Sequence, residues 1–217
     1  MKYFIANWKA NKNLSQTQDY INKFVEIIGA LEQSKVIICP PYPLVSYVKE
    51  KITGKNNLHV GAQDLSMFEE GSYTGEVTAK TLQGLVDFVI IGHSERRKNF
   101  NETQETVTKK LVLAKKYQIE PVLCIRNIED WQAVKDQVKI VAYEPVAAIG
   151  TGMNEDPKKV IDFKKTLNLK PETVFIYGGS VKSDNANSYL ETKEIEGFLI
   201  GGASLDPESF KKIIESA

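Results

Sequence analysis

The chain is expected to fold as a closed parallel (β/α)8 barrel, one domain over residues 1–217. Three observations predict it. Eight short apolar runs alternate with longer amphipathic stretches from end to end. The runs are continuously apolar rather than alternating in polarity, as parallel strands covered on both faces are. Eight β-then-α units in this length favour ring closure over an open doubly wound sheet, the alternative with the same local pattern.

The strand candidates in the first half are YFIAN (3–7), KVIICP (35–40), LHVGAQ (58–63) and DFVIIGH (87–93). The second half supplies EPVLCI (120–125), KIVAYE (139–144), TVFIYGG (173–179) and EGFLIGG (196–202). Between them, Gln16–Ile28 carries Tyr20, Ile21, Phe24, Val25 and Ile28 at helical spacing, and Glu102–Tyr117 repeats the pattern with Val107, Leu111 and Ala114. Asp156-Pro157, Ser183-Asp184 and Asp206-Pro207 have the form of helix starts, with a side-chain cap and, in two of them, proline in the first turn.

Composition narrows the function. Twenty-eight basic residues balance twenty-eight acidic ones, which lends no support to nucleic acid or an anionic membrane as partner. No stretch approaches the roughly 18 apolar residues that span a bilayer. The N-terminal MKYFIANWKANK turns charged too soon for a secretory signal, so the cytoplasm is the expected location. Cys39 and Cys124 sit in apolar strand-like runs and are expected as small core residues. Neither CxxC spacing nor a His/Cys cluster points to a metal.

Polar or glycine-rich residues collect at the C-terminal ends of the strands: Asn7 and Lys9, Gln63-Asp64, His93-Ser94-Glu95, Glu144, Gly178-Gly179-Ser180 and Gly201-Gly202. In a barrel these ends form one rim, where active sites lie. Glu144 stands at the tip of an apolar strand stopped by Pro145, and the loop VAAIGTG (146–152) offers almost nothing polar to pair with it. A desolvated Glu is expected to have its pKa raised toward neutrality, which suits a general base. The loop has two glycines to absorb backbone change and the character of a closing lid. A lone histidine is more often a satisfied core or surface residue, and His59 is expected to be one. His93 instead ends a strand before SERR, whose charge pattern predicts an exposed helical turn. Amides at that helix start favour neutral imidazole, which can polarise a carbonyl and shuttle protons. Lys9 is either a charge aimed at the rim or a solvated lysine. The turns YGGS (177–180) and IGGAS (200–204), with Ser180, can hold an anion on exposed amides.

Read together, NWK (7–9), GHSERR (92–97), YEPV with AIGTG (143–152), YGGSV (177–181) and IGGASL (200–205) resemble the triosephosphate isomerase family, in order and over the whole chain. GAQD (61–64), YTGEV (73–77) and LCI (123–125) agree. The resemblance implies the family's TIM barrel and an interconversion of dihydroxyacetone phosphate and glyceraldehyde 3-phosphate, with no metal or organic cofactor. It implies that Glu144 is the base and His93 the electrophile, the pairing known for this family rather than one deduced from the chain. It implies that Lys9 and Asn7 bind substrate and steady negative charge, that Ser94 and Glu95 support these groups from behind, and that Gly150, Ser180, Gly201 and Gly202 grip the phosphate. The loop around Thr74 is similar to the family's dimer loop and implies a homodimer.

The chain departs from the family pattern in places. Ala147 stands where the lid usually has Trp, Met153 where a lysine is common, and Arg126-Asn127 where the family has Gly-Glu after the fifth strand. The intervals Cys124–Glu144 and Gly152–Tyr177 are short, so the outer helices after strands five and six are expected to be short. Two rivals stand beside the isomerase: a Schiff-base aldolase, which needs a lysine inside a late strand, where strands six to eight have none near their C-terminal ends, and a phosphosugar-binding barrel with impaired catalysis.

Overall fold

The computed structural model describes residues 1–29, 33–135, 137–145 and 154–216. The eight strands are β1 (Lys2–Asn7), β2 (Ser34–Cys39), β3 (Leu58–Ala62), β4 (Phe88–Ile91), β5 (Glu120–Ile125), β6 (Ile140–Tyr143), β7 (Val174–Tyr177) and β8 (Gly197–Ile200). They pair in chain order, all parallel, and β8 returns to β1 in the register Tyr3↔Gly197 to Ala6↔Ile200. The closed barrel expected from the eight apolar runs is therefore present. Closure depends on one residue without a side chain. Gly197 has φ +147°, and a Cβ there would lie 1.8 Å from the Tyr3 carbonyl oxygen.

Around the barrel run α1 (Leu14–Ile27), α2 (Val45–Ile52), α3 (Ala79–Leu82), α4 (Ser94–Asn99), α5 (Gln104–Lys116), α6 (Ile128–Gln132), α7 (Pro157–Thr166), α8 (Ala186–Leu190) and α9 (Pro207–Ile214). The five residues of α6 and ten of α7 fall below the roughly 11-residue helix mean, in line with the short intervals after β5 and β6. Helix α1 starts two residues before the expected Gln16, because Asn13 and Gln16 exchange a capping box at 2.9 and 3.0 Å. Asp156 and Asp206 cap α7 and α9 as expected, each ahead of proline. Ser183-Asp184 does not start a helix. The residue before α8 is Asn185, whose side chain is spent on the preceding turn, accepting from the Lys182 amide at 2.9 Å and donating to the Ser180 carbonyl at 3.2 Å.

The strands alternate between two apolar layers. Ile5, Ile37, Cys39, Phe88, Ile90, Val122, Cys124, Ile140, Ala142, Ile176 and Leu199 fill the barrel, and a larger cluster packs the outer faces against the helices. Both cysteines are buried and free, as expected of core residues. Because side chains repeat every second residue, the position after the last filled layer opens on the C-terminal rim. Continuing the inward rows puts Asn7, Arg126, Glu144, Gly178 and Gly201 there.

Candidate active site

Lys9 is aimed by its own backbone. It sits at φ +53°, a left-handed conformation uncommon for lysine. Two bonds hold it there: its amide donates to Asn7 Oδ1 at 3.0 Å, and its carbonyl accepts from Gln63 Nε2 at 2.8 Å. Gln63 also donates to the Cys39 carbonyl at 3.0 Å, so β1, β2 and the end of β3 share one clamp. The Lys9 ammonium pairs with Glu95 and is half-buried rather than solvated.

His93 follows Gly92, whose φ of +75° ends β4 short of the expected His93 boundary. Its Nδ1 accepts the Glu95 amide of the α4 start at 3.1 Å, leaving Nε2 to face Glu144 Oε1 at 2.9 Å. The helical turn expected of SERR is present as the start of α4, but it is not exposed. Ser94 and Arg97 are buried, because Arg97 folds back to the Gly92 carbonyl at 2.8 Å. Burial lowers the His93 pKa, but the charge and hydrogen bond of Glu144 raise it, and the net direction is upward from 6.5. The amide on Nδ1 favours the neutral ring. The contact with Glu144 is what favours the charged one.

Glu144 is buried, with Oε2 accepting the Ser94 amide at 2.8 Å. Burial pushes its pKa up, yet His93 and Ser94 together pull it below its ordinary 4.5. The expectation of a carboxylate raised toward neutrality is corrected. The sequence displays the apolar strand but not an amide of another strand's loop, and two donors outweigh the missing water. Cys124 is more than filler, since its thiol lies against this carboxylate and both burial and Glu144 push its pKa up.

The glycines of the rim make room. A Cβ on Gly178 would stand 3.0 Å from Glu144 Cγ, and one on Gly201 would stand 3.1 Å from Lys9 Cε. A cavity of about 530 Å³ opens between these groups and the starts of α8 and α9. Asn7, Lys9, His93, Glu144, Ser180, Gly201 and Gly202 all line it. Ser180 is held at φ +48° in the turn after β7. Lys182, Ser183, Asp184 and Ser209 also line the cavity, and sequence reasoning missed them because each looks like an ordinary surface residue near a helix start. Gly150, Ala147 and the lid sequence 146–152 lie outside the described residues, as does Met153. Thr74 is exposed and away from this cavity. His59 bonds Asp87 at 2.9 Å, the satisfied histidine expected.

A parallel barrel whose C-terminal rim joins a buried carboxylate, an imidazole and a lysine to a glycine-lined cavity defines an acid–base enzyme of the (β/α)8 class. The triosephosphate isomerase family model matches residues 2–217. A triosephosphate isomerase of Mesomycoplasma hyopneumoniae is 40% identical over 98% of both chains, and one of Aquifex aeolicus 36% identical over 97% of both. One of Dictyoglomus turgidum is 35% identical over 99% of both. The chain belongs to the triosephosphate isomerase family.

Proposed function

We propose that this chain interconverts dihydroxyacetone phosphate and D-glyceraldehyde 3-phosphate, a step of glycolysis and gluconeogenesis, with Glu144 as the base. The observation that carries the assignment is the Glu144–His93 contact at 2.9 Å, in one cavity with Ser180, Gly201 and Gly202. A triose phosphate with its phosphate on the glycine side places its two reacting carbons beside the carboxylate and its two oxygens beside the imidazole. Glu144 takes the proton from the carbon next to the carbonyl and returns it to the neighbouring carbon. The electron pair stays on the substrate as an enediolate while His93 passes the hydroxyl proton from one substrate oxygen to the other, so that carbonyl and hydroxyl exchange places and no oxidant or reductant takes part.

His93 donates from Nε2 to the oxygens where charge develops, and Lys9, with Asn7 behind it, steadies that charge. In the arrangement described above both Glu144 oxygens are occupied, so the carboxylate must leave Ser94 and His93 to reach carbon. Its departure removes the contribution that favours a charged His93, and the ring then acts as a neutral donor. Ser94 and Glu95 hold the parts in place: the Ser94 amide parks the base, and Glu95 orients Lys9 through its carboxylate and His93 through its amide. Gly150 is assigned to the phosphate with Ser180, Gly201 and Gly202.

The same reading makes residues 1–217 one catalytic domain that works in the cytoplasm on a soluble sugar phosphate. It makes the protein a homodimer joined through the loop around Thr74. Among the described residues, no helix is long and apolar enough to cross a membrane. The test is a coupled assay with glyceraldehyde 3-phosphate on the purified protein and on Glu144→Gln. Rapid isomerisation that collapses at least a thousandfold in the variant supports the assignment. A variant with near-normal turnover ends it.

A further inference from the structure

The inward rows of the barrel put one more charge beside the base. Val122 and Cys124 of β5 and Ile140 and Ala142 of β6 point into the barrel, and they are paired Val122↔Ile140 and Cys124↔Ala142. The next positions of these two rows are Arg126 and Glu144. The backbone keeps this register one step past the strands, since the Glu144 amide donates to the Ile125 carbonyl at 2.8 Å.

Arg126 is clamped there. Its Nε and Nη2 donate to Asp130 Oδ2 and Oδ1 at 2.8 and 3.0 Å, and its backbone amide donates to Oδ2 at 3.0 Å. Asp130 is buried, with Arg97 Nη1 on its far side at 3.5 Å. Arg97 is buried too, fixed by the Gly92 carbonyl and by Gln104. Two guanidinium groups about one carboxylate leave a net positive charge where the end of β5 meets α4 and α6. The Arg126 pKa is raised first by the hydrogen bond to Asp130, against burial, and then by the charges of Asp130 and Glu144.

The other groups around Glu144 are accounted for. His93 and the Ser94 amide come from the turn after β4, the Cys124 thiol from β5, and the Lys9–Glu95 pair from β1 and α4. Gly178 brings no charge from β7.

We infer that Arg126, clamped by Asp130, is a positioning residue for the base: it holds positive charge against Glu144 and sets the acid edge of the pH range in which the protein works. The inference rests on Glu144 being the base. Arginine suits the task because its fork fits a carboxylate bidentately and keeps the guanidinium in one place.

The test is the pH profile of kcat/KM for the wild type, Arg126→Met, Arg126→Lys and Asp130→Asn, each beside its chemical denaturation. Removing the cation moves the acid limb of Arg126→Met to higher pH. On that limb its kcat/KM relative to wild type is expected to fall about fivefold further than on the plateau. Arg126→Lys keeps the charge and moves the limb much less. Asp130→Asn removes the carboxylate, keeps both cations and moves the limb the opposite way, to lower pH. Should Arg126→Met not fold, the direction in Asp130→Asn decides alone. A purely structural clamp predicts that both variants lose stability and rate with the limb unmoved, and that result overturns the inference. So does an Arg126→Lys limb displaced as far as that of Arg126→Met. Glu144→Gln separates the two levels: if it is inactive and the limbs do not move, only the role of Arg126 falls, whereas an active Glu144→Gln removes the base itself.

Discussion

Replacing Glu144 by Asp keeps the charge and withdraws the carboxylate by about 1.5 Å, one carbon–carbon bond. Oε1 now lies 2.9 Å from His93 and Oε2 2.8 Å from the Ser94 amide, so both contacts open to roughly 4 Å, beyond hydrogen bonding. The backbone is not free to follow. The Glu144 amide is bonded to the Ile125 carbonyl at 2.8 Å, and the preceding Tyr143 carbonyl accepts the Gly178 amide at 2.8 Å. A displacement of about 1 Å in a reacting group costs about a hundredfold in rate. The loss expected of Glu144→Asp is therefore about 10²–10³-fold, or about 3–4 kcal/mol. In the coupled assay it should fall on kcat, with KM within about threefold, because the Ser180, Gly201 and Gly202 side of the cavity is untouched. A kcat within tenfold of wild type, or a loss carried by KM instead, refutes the placement of the base.

Three further outcomes follow from the same geometry. Lys110 is buried, with Nζ 2.6 and 2.8 Å from the oxygens of Asp64 and bonded to Glu102; Lys110→Met leaves both buried carboxylates facing Arg96 and is expected to cost about 3–5 kcal/mol in urea unfolding at fixed protein concentration, where a loss below about 1 kcal/mol contradicts it. The share of stability due to Glu144, whose pKa is lowered, is present above its ordinary 4.5 and lost as pH falls through the folded value, whereas that due to His93, whose pKa is raised, is present below 6.5 and lost as pH rises. Glu144→Gln should therefore lose most stability relative to wild type between about pH 4.5 and 6.5, and a deficit that is instead largest at pH 8.5 reverses the sign of the argument. Trp131 is fully buried and donates Nε1 to the Leu167 carbonyl at 2.8 Å, so Trp131→Ala is expected to lose about 3–5 kcal/mol of unfolding free energy while the folded fraction keeps its kcat within about twofold.

The barrel was legible because parallel strands covered on both faces leave an unmistakable trace, runs such as FVII and VLCI with no polar break. The C-terminal ends expected from the sequence run two residues too far at β4, β7 and β8 and one too far at β2, β3 and β6. Gly92, Gly178 and Gly201 belong to the rim rather than the ladder, and a glycine after an apolar run looks the same in either place. Asn7, Lys9, His93 and Glu144 were legible as a set because all stand at or just beyond strand ends on one rim. What the sequence concealed were contacts between residues far apart in it. The Ser94 amide that reverses the pKa expectation for Glu144 lies fifty positions away. Gln63, holding the Lys9 carbonyl, was visible as a polar strand end but had no partner to point at. Arg126 showed only as a departure from a family pattern, with nothing local to say that it stands beside Glu144.

The short connection between β5 and β6 explains why that departure lands where it does. The alignment to the Mesomycoplasma relative is 240 residues long, longer than this chain, so the relative carries residues that are missing here. The trimming is tolerated because the rim is set by strand register and not by the outer helices. The β5–β6 register holds from Val122↔Ile140 to Ile125↔Tyr143 although α6 has five residues. Trp131, buried, ties α6 to the end of α7 through its bond to the Leu167 carbonyl. Only Arg126 and Asn127 separate the last residue of β5 from the first of α6. With so little chain, the first turn of α6 is held against the mouth of the barrel, and Asn127 caps it by accepting the Asp130 amide at 3.0 Å. Asp130 then faces back along its own turn to residue 126, four positions earlier, where a cation meets it with two hydrogen bonds. The economy of the outer layer and the charge beside the base are thus consequences of the same short loop.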